Sequence, residues 1–235
     1  MIVRHCRAER NVAGIEIENC IGADVYENVA NNNTGGILVF SLPGLTLKNG
    51  SDCRVFNNQM SDNNHANFAK EGAMVASVPP GSGLMIMAND RVEVFGNKFE
   101  GNISASCLVV SFLITQRKYD DSGYDPYPEA IHIHDNTFAG GGTDPQGEYM
   151  SMYAAATNES LPDIVFDGVL DAEKLVDGKL PSELSLSVVD NGDAKFVNLD
   201  LSKMLAGGKP VFNTDMSVYA GTLERVQAVE IPGVN

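Results

Sequence analysis

One pattern of apolar and polar positions recurs along the first part of the chain: an apolar residue, an Asn three positions later, and a second Asn five positions after that. Its clear copies are Val25-Asn28-Asn33, Val55-Asn58-Asn63 and Val94-Asn97-Asn102, with fainter copies at Val3-Cys6-Asn11 and Ile133-Asn136-Gly141. The shortest repeat, from Val3 to Val25, spans 22 residues, which is too short for a β-α-β unit of about 30 residues or more. The pattern therefore predicts an all-β fold, a right-handed parallel β-helix in which each coil of the solenoid takes about 22 residues.

The strand that begins each copy allows the register to be predicted, since side chains alternate between the two faces of a strand and equivalent positions of parallel strands adjoin. The inward positions are apolar in every copy: Ala23, Val25, Cys53, Val55, Val92, Val94, Ile131 and Ile133. The outward positions form a charged file of Asp24, Arg54, Glu93 and His132 and an aromatic file of Tyr26, Phe56, Phe95 and His134. We therefore expect Arg54 to lie between Asp24 and Glu93 on successive strands, and the repeated asparagines to form structural ladders.

A second strand in each coil has apolar residues at its outward positions as well as its inward ones. The outward set in three consecutive coils is Leu38, Phe40, Met85, Met87, Leu108 and Val110. So much apolar surface requires a cover. The residues after Asp144 are the favoured cover, because they contain apolar runs at 164–166 and 184–189 and an apparent hairpin that ends at Leu201. The alternative is a homo-oligomer interface on this face.

The spacing of the copies also gives the domain organisation. Residues 1–143 are predicted to form the coils, with loop insertions at 42–52, 64–82 and 112–129, and residues 144–235 a strand-rich capping segment continuous with the solenoid. Loops on a rigid stack are where solenoid proteins place binding sites.

Composition and charge argue against several classes of partner. The chain carries 16 Lys and Arg against 31 Asp and Glu, a formal net charge of −15. Nucleic acids and anionic membranes are therefore not expected as partners, because their phosphates need basic patches. No run of roughly 18 apolar residues predicts a membrane span, and no signal peptide is recognised at the start of the chain. No cofactor is certain, but Ca²⁺ is considered because an anionic substrate would be repelled unless a cation bridged it.

The insertion at 112–129 is the candidate functional loop. It concentrates tyrosines and carboxylates with two cations, and it runs directly into the strand that carries His132 and His134. These two histidines are two positions apart on a strand and so project from the same face. The predicted catalytic residues are His132, His134, Arg117 and Asp125, and the predicted substrate-binding residues are Tyr124, Tyr127, Glu129, Asp135, Glu93 and Arg54.

Two other interpretations of the histidines stay open. As the last members of the charged and aromatic files they can be purely structural. As a His-x-His pair they match part of a zinc or copper site, which needs a further ligand within about 2 to 2.3 Å of the metal. The sequence shows no obvious third ligand, so no metal-binding residue is assigned.

Five further segments of the sequence are distinctive: Gly14–Asn19, Gly35–Phe40, Asp125–Glu129, Ile131–Phe138 and Leu161–Gly168. They resemble the bacterial parallel β-helix repeat proteins of the pectin-lyase-like superfamily, and the resemblance covers most of residues 2–201. It implies a carbohydrate-active or carbohydrate-binding protein, periplasmic or secreted, whose partner is a polysaccharide or oligosaccharide. Family members usually begin with a secretion signal and further coils, so we expect coils to be missing upstream of Met1.

The wider superfamily includes polysaccharide lyases, mannuronan C5-epimerases and periplasmic copper-maturation factors, so the fold alone does not select a reaction. The leading hypothesis is a lyase-like or epimerase-like enzyme acting on a uronate-containing glycan. His132 or His134 would be the base, Arg117 would neutralise the uronate carboxylate, and Tyr124 and Tyr127 would stack on sugar rings. The epimerases carry Asp-Pro-His-Asp where this chain has Asp125–Pro128. The alternatives are a non-catalytic scaffold that docks a partner through its apolar face and a copper or zinc delivery protein.

Overall fold

The computed structural model describes residues 1–233, which fold mainly into strands arranged in three parallel sheets with few helices. Sheet A contains β1 (Ile2–Arg4), β4 (Ile21–Tyr26), β7 (Ser51–Phe56), β10 (Asp90–Phe95), β13 (His132–His134) and β16 (Ser187–Val189). Sheet B contains β2 (Arg7–Glu9), β5 (Val29–Asn31), β8 (Gln59–Ser61), β11 (Lys98–Glu100) and β14 (Thr137–Ala139). Sheet C contains β3 (Ala13–Glu18), β6 (Gly35–Phe40), β9 (Ser82–Met87), β12 (Ala105–Val110), β15 (Ile164–Phe166) and β17 (Phe196–Asn198).

From β1 to β15 the chain visits sheets A, B and C in turn, and each strand pairs in parallel with its equivalents in the neighbouring repeats. The helices lie in segments between strands or after the last strand, β17. They are α1 (Glu148–Thr157), α2 (Leu201–Leu205) and 3-10 helices at Met74–Ser77, Phe112–Thr115, Ala172–Lys174, Ser182–Leu184 and Met216–Tyr219. The all-parallel, mainly β architecture expected from the repeat is therefore present.

The register of sheet A is the predicted one. Arg54 pairs with Asp24 on one side and with Glu93 on the other. The aromatic file is stacked, with ring centroids 4.7, 4.9 and 5.3 Å apart for Tyr26–Phe56, Phe56–Phe95 and Phe95–His134. The eight inward side chains are at most 1% exposed and belong to the core between the sheets. These predictions are confirmed.

The repeated asparagines form ladders on the two sides of sheet B. One ladder contains Asn28, Asn58, Asn97, Asn136 and Asn191, and the other contains Asn11, Asn33, Asn63 and Asn102. Each side-chain amide donates to Oδ1 of the next Asn at 2.9–3.2 Å. Oδ1 of Asn97, for example, also accepts the backbone N–H of Asn58 at 2.9 Å. The predicted ladders are confirmed, and they satisfy buried polar groups at each corner.

The residue before each Asn of the longer ladder has a left-handed backbone conformation. Its φ is 53–64° at Glu27, Asn57, Gly96, Asp135 and Asp190. Gly, Asn and Asp adopt this conformation more readily than other residues, so their frequency at these corners follows from the sharp turn between sheets A and B. Asp135, which the sequence analysis predicted to bind substrate, is thus one of the residues of this turn.

The outer face of sheet C is buried within this chain. Its outward side chains Leu38, Phe40, Met85, Met87, Leu108 and Val110 are 0–8% exposed. The cover comes from the 3-10 helices at 74–77 and 112–115, from α1, and from residues 199–201. The cover predicted after Asp144 is thus only part of the observed one, and it is helical there instead of strand-rich. The face needs no second copy of the chain to bury it.

The hairpin predicted near residues 184–201 is wrong. β16 pairs in parallel with β13 in sheet A, whereas β17 pairs in parallel with β15 in sheet C. The turn at 190–193 resembles a hairpin turn in sequence, but Asn191 accepts a hydrogen bond from Asn136 at 3.1 Å and so continues the ladder. The strands after residue 144 therefore extend sheets A and C.

A C-terminal segment crosses the outer face of sheet A, and we call residues 221–229 the strap. The backbone N–H of Val226 donates to Oε2 of Glu93 at 3.2 Å, and that of Val229 donates to Oδ2 of Asp24 at 3.1 Å. The hydroxyl of Ser187 donates to the carbonyl of Gly221. The strap thus covers the charged file by using its carboxylates as hydrogen-bond acceptors.

Candidate functional site

His132 and His134 lie side by side on β13, with Glu93 beside them on β10. Glu93 is paired with His132 in the register of sheet A. All three side chains are buried, at 2–6% exposure, and one donor atom from each lies within 4.8 Å of the others. The neighbouring strand therefore supplies the carboxylate that turns the histidine pair into a cluster of three potential ligands.

His134 is held between two carboxylates. Its Nδ1 lies 2.7 Å from Oδ2 of Asp135, and its Nε2 lies 3.1 Å from Oε1 of Glu93. Its ring also stacks on Phe95, with parallel planes. Backbone register, stacking and the contact with Asp135 together fix the ring so that Nε2 points at Glu93.

His132 is in a different situation. Its ring centroid is 4.3 Å from that of His134, yet both of its ring nitrogens are buried without a hydrogen-bond partner. Burial lowers the pKa of His132, and the neighbouring His134 lowers it further, against the opposite effect of Glu93. The arrangement favours a neutral ring with an available lone pair.

The strap closes the cluster from outside. Arg225 Nη1 lies 3.3 Å from Oε1 of Glu93, and the Arg225 side chain is 65% exposed. A cavity of about 170 Å³ adjoins His132 and is bordered by Arg91, Ala130, Glu183 and residues 222–224 of the strap. The cluster is therefore covered, but a small space remains at the edge of His132.

A second cluster of charged side chains joins the predicted functional loop to the 3-10 helix at Ala172–Lys174. Lys174 Nζ lies 2.7 Å from Oδ2 of Asp125 and 2.8 Å from Oε2 of Glu129, and Oδ1 of Asp90 accepts the backbone N–H of Glu129 at 3.1 Å. Burial and the adjacent carboxylates of Asp125 and Glu129 raise the pKa of Asp90 to about 7. Burial also raises the pKa of Glu129, with Lys174 opposing it. The ammonium group of Lys174 thus supplies the positive charge that balances the carboxylates of Asp125 and Glu129.

The predicted convergence of the loop with the histidines is not what the structure has. The guanidinium of Arg117 donates to the carbonyls of Gly72 and Ala73, within the cover of sheet C. Tyr124 is 6% exposed and donates to the carbonyl of Ser41 at 2.7 Å. Both side chains therefore hold loops together through hydrogen bonds to backbone carbonyls. They are separated from the histidines because the loop folds over sheet C, whereas the histidines face outward from sheet A.

The remaining predicted substrate-binding residues also have specific places. Arg54 Nε donates to Oδ1 of Asp24 at 2.7 Å in a two-point ion pair, so its guanidinium has a partner beneath the strap. Tyr127 is partly buried against the apolar cluster on the outer face of sheet C. Asp125 and Glu129 belong to the Lys174 cluster and not to the histidine cluster.

Sequence reasoning missed Asp90, Lys174 and Arg225. Nothing in the repeat points to Lys174 or Arg225, because both follow the last clear copy of the pattern. The charged file did place Glu93 next to His132, and this was the available signal for a third ligand.

Comparison of the chain with models of protein families, with curated proteins and with solved structures finds no match. Among residues 1–233, no helix has the length and apolar character needed to cross a membrane.

Proposed function

We propose that this chain is a right-handed parallel β-helix of the pectin-lyase-like kind that binds a divalent transition-metal ion at Glu93, His132 and His134. The solenoid is supported by the order in which the chain visits sheets A, B and C and by the asparagine ladders. Crossovers between parallel strands are right-handed in about 98% of cases, which supplies the expected hand. The same relationship would make it a periplasmic or secreted protein.

The observation that carries the metal proposal is the buried, unpartnered imidazole of His132. Buried polar side chains nearly always have a hydrogen-bond partner, and exceptions often mark a functional site or an absent ion. Both nitrogens of this ring lack one, and donor atoms of His134 and Glu93 lie within 4.8 Å. A bound cation would satisfy a nitrogen that is otherwise left without a partner.

The contacts of His134 fit the same role. A neutral ring that donates a hydrogen bond from its Nδ1–H to Asp135 has a lone pair on Nε2, and Nε2 lies 3.1 Å from the Glu93 carboxylate. Two electron-rich groups at this distance need a proton or a metal ion between them. A carboxylate on the distal nitrogen is the usual outer partner of a metal-bound histidine, because it fixes the tautomer and the ring direction.

Charge also favours a cation. Glu93 is 2% exposed, and burial of a carboxylate is costly unless an opposite charge compensates it. Arg225 supplies that charge in this structure from a side chain that is mostly exposed. Its guanidinium can move into solvent when a metal ion takes over the neutralisation of Glu93.

The donor set selects the kind of metal. Two imidazoles and one carboxylate suit Zn²⁺ and related first-row ions, and three protein ligands leave at least one coordination position open, as in catalytic sites. The cavity of about 170 Å³ beside His132 offers space for a water molecule at that position. We therefore propose Zn²⁺ as the preferred ion.

Equilibrium dialysis against Zn²⁺ followed by metal analysis tests this proposal. We expect one tightly bound ion per chain, and Co²⁺ in its place should show the visible absorption of a site with nitrogen and oxygen ligands. His132→Gln and His134→Gln should each abolish that signal.

The other two histidines provide matched controls, because the rings of His5 and His65 are exposed. His5→Gln and His65→Gln should leave one bound ion per chain. A stoichiometry of zero in the unmodified chain, or a cobalt spectrum dominated by thiolate ligands, would contradict the proposal.

A carbohydrate-active enzyme is the second candidate, and Asp90 and Glu129 favour it. Glycan cleavage commonly uses one protonated and one ionised carboxyl group, and neighbouring carboxyls with separated pKa values can fill these roles. The pKa of Asp90, about 7, lets it carry a proton near neutral pH. Tyr127 lies in the same loop as Glu129.

A turnover screen with uronate and neutral polysaccharides, with and without Ca²⁺, tests the second candidate. Cleavage or an unsaturated-uronate absorbance that is lost in Asp90→Asn and kept in Asp193→Asn, an exposed control, would support it. If the chain shows no turnover and binds none of these glycans, the second candidate is ruled out.

A further inference from the structure

A cavity of about 350 Å³ lies between the outer face of sheet C and the segments that cover it. Its floor is formed by outward side chains of three neighbouring strands, β6, β9 and β12. Its roof is formed by residues 74–79, 114–116 and 147–150. The cavity is on a different sheet from the histidine cluster and does not depend on the metal proposal.

A cover that served only to shield apolar side chains would be expected to pack directly against them. Protein interiors are close-packed, and voids much larger than a water molecule are few. The side chains that border a void lose dispersion contacts on that side, and water in an apolar cavity lacks hydrogen-bond partners. A cavity of this size with this lining is therefore better suited to an apolar guest than to remaining empty or filling with water.

Polar cross-links hold the roof segments to one another. Arg117 donates to the carbonyls of Gly72 and Ala73 at 3.1 and 2.8 Å. Gln116 Nε2 donates to the hydroxyl of Tyr149 at 3.1 Å. Three separate parts of the chain are thus tied together across the top of the cavity, which maintains the roof without filling the space. Gln116 is exposed, so the mouth of the cavity lies beside this bond.

The polar groups at the cavity limit the charge of the guest. Asp167 lies in the wall, fully buried, and its carboxylate accepts the backbone N–H groups of Ser111 at 2.6 Å and Val169 at 3.0 Å. Glu148 lies at the roof. These carboxyl groups disfavour an anion. Two backbone N–H groups already partner Asp167, and most other residues that border the cavity are apolar, so an apolar guest fits the lining better than a charged one.

We infer that this cavity is a binding site for a neutral, mainly apolar small molecule, such as a compound with one or two aromatic rings or a short acyl chain. The volume is roughly twice that of a 150 Å³ apolar cavity known to hold benzene. It also falls within the usual range of about 300 to 1,000 Å³ for small-molecule pockets. The apolar outward side chains of sheet C would then contact the bound molecule as well as the segments that cover the sheet.

Titration with N-phenyl-1-naphthylamine, a neutral dye with a phenyl and a naphthyl group, tests the inference. We expect a saturable rise in dye emission with one site per chain. Ile114→Trp places a larger side chain in the roof and should weaken dye binding about tenfold or more, since it takes up space that the dye needs. Val75→Trp fills the cavity from the opposite part of the roof and should have the same effect.

Val176→Trp is the matched control, because Val176 is 64% exposed and does not border the cavity. It should bind the dye as the unmodified chain does, and thermal unfolding of all variants should show that each is folded. No saturable dye binding, equal binding in folded Ile114→Trp and Val176→Trp chains, or binding confined to a cationic analogue of the dye would overturn the inference.

Discussion

Oε1 of Glu93 lies 3.1 Å from Nε2 of His134, although the two residues are 41 positions apart in the sequence and lie on adjacent strands of sheet A. Oε2 of the same carboxylate accepts the backbone N–H of Val226 from the strap. One buried carboxylate therefore connects the histidine cluster to the C-terminal segment that covers it. A second carboxylate, Asp24, holds the strap farther along through Val229.

Removal of either carboxylate should loosen the strap at its own contact. In Glu93→Ala the amide proton of Val226 should exchange with solvent about tenfold faster, because a hydrogen bond to a charged group contributes about 1.5 to 3 kcal/mol. In Asp24→Ala the same change is expected at Val229. Amide hydrogen exchange followed by NMR measures both sites, and unchanged exchange at both amides in both variants would contradict these contacts.

Asn97 is the central member of the longer ladder, and its replacement by Ala should destabilise the fold by about 3 kcal/mol. Its Oδ1 accepts two N–H groups of Asn58, and its amide donates to Asn136 and to the carbonyl of Val55. Each buried group left without a partner costs about 1 to 3 kcal/mol. Urea unfolding measures the loss, with Gln59→Ala, an exposed residue of the neighbouring repeat, expected to stay within about 0.5 kcal/mol of the unmodified chain.

The repeat made much of sheet A predictable from the sequence. Register follows from local alternation plus a fixed spacing, so Arg54 was placed between Asp24 and Glu93 and the inward positions were identified without coordinates. The same reasoning failed for residues 184–201, because an apolar run, a turn and a second apolar run look alike whether the strands pair with each other or with two different sheets.

The candidate sites were less predictable because they depend on contacts outside the repeat. Arg225 meets Glu93 across 132 positions, and Lys174 meets Asp125 across 49, and no periodic pattern relates these partners. Arg117 and Tyr124 have side chains suited to a glycan site, yet both donate hydrogen bonds to backbone carbonyls of neighbouring loops. Residue type suggested the chemistry, whereas the direction in which the loop folds decided where it is available.

Stability should depend on pH through Asp167. Burial raises the pKa of this carboxyl from 3.8 to about 6, with hydrogen bonds from Ser111 and Val169 opposing the shift. The folded state thus holds the proton more tightly than the unfolded chain, so the stabilisation is complete below about pH 4 and is lost as the pH rises through about 6. At about 1.4 kcal/mol per pKa unit, the loss is about 3 kcal/mol.

Asp167→Asn should remove that contribution, since the amide does not ionise. The free energy of unfolding of the unmodified chain, relative to this variant, should be about 3 kcal/mol higher at pH 4 than at pH 7. Asp193→Asn alters an exposed residue and serves as the control. Equal pH profiles for the unmodified chain and Asp167→Asn in urea unfolding would show that the buried carboxyl does not titrate in this way.

Asp135 offers a test of the metal centre that leaves all three proposed ligands in place. The Asp135→Asn change removes the negative charge next to Nδ1 of His134 but keeps an oxygen acceptor and a residue that tolerates the left-handed turn, φ 53°. Loss of such an outer partner typically lowers metal affinity about 10-fold to 100-fold, so Zn²⁺ should bind about tenfold more weakly while the cobalt spectrum persists. Asp190 occupies the equivalent corner of the next repeat, also at φ 53°, and its side chain makes no hydrogen bond with a histidine in the described part of the chain. Competition with a coloured zinc chelator should therefore show a weaker site in Asp135→Asn and an unchanged one in Asp190→Asn. Equal weakening in both variants would attribute the effect to the corner turns, because the two substitutions share the turn and differ in the contact with His134.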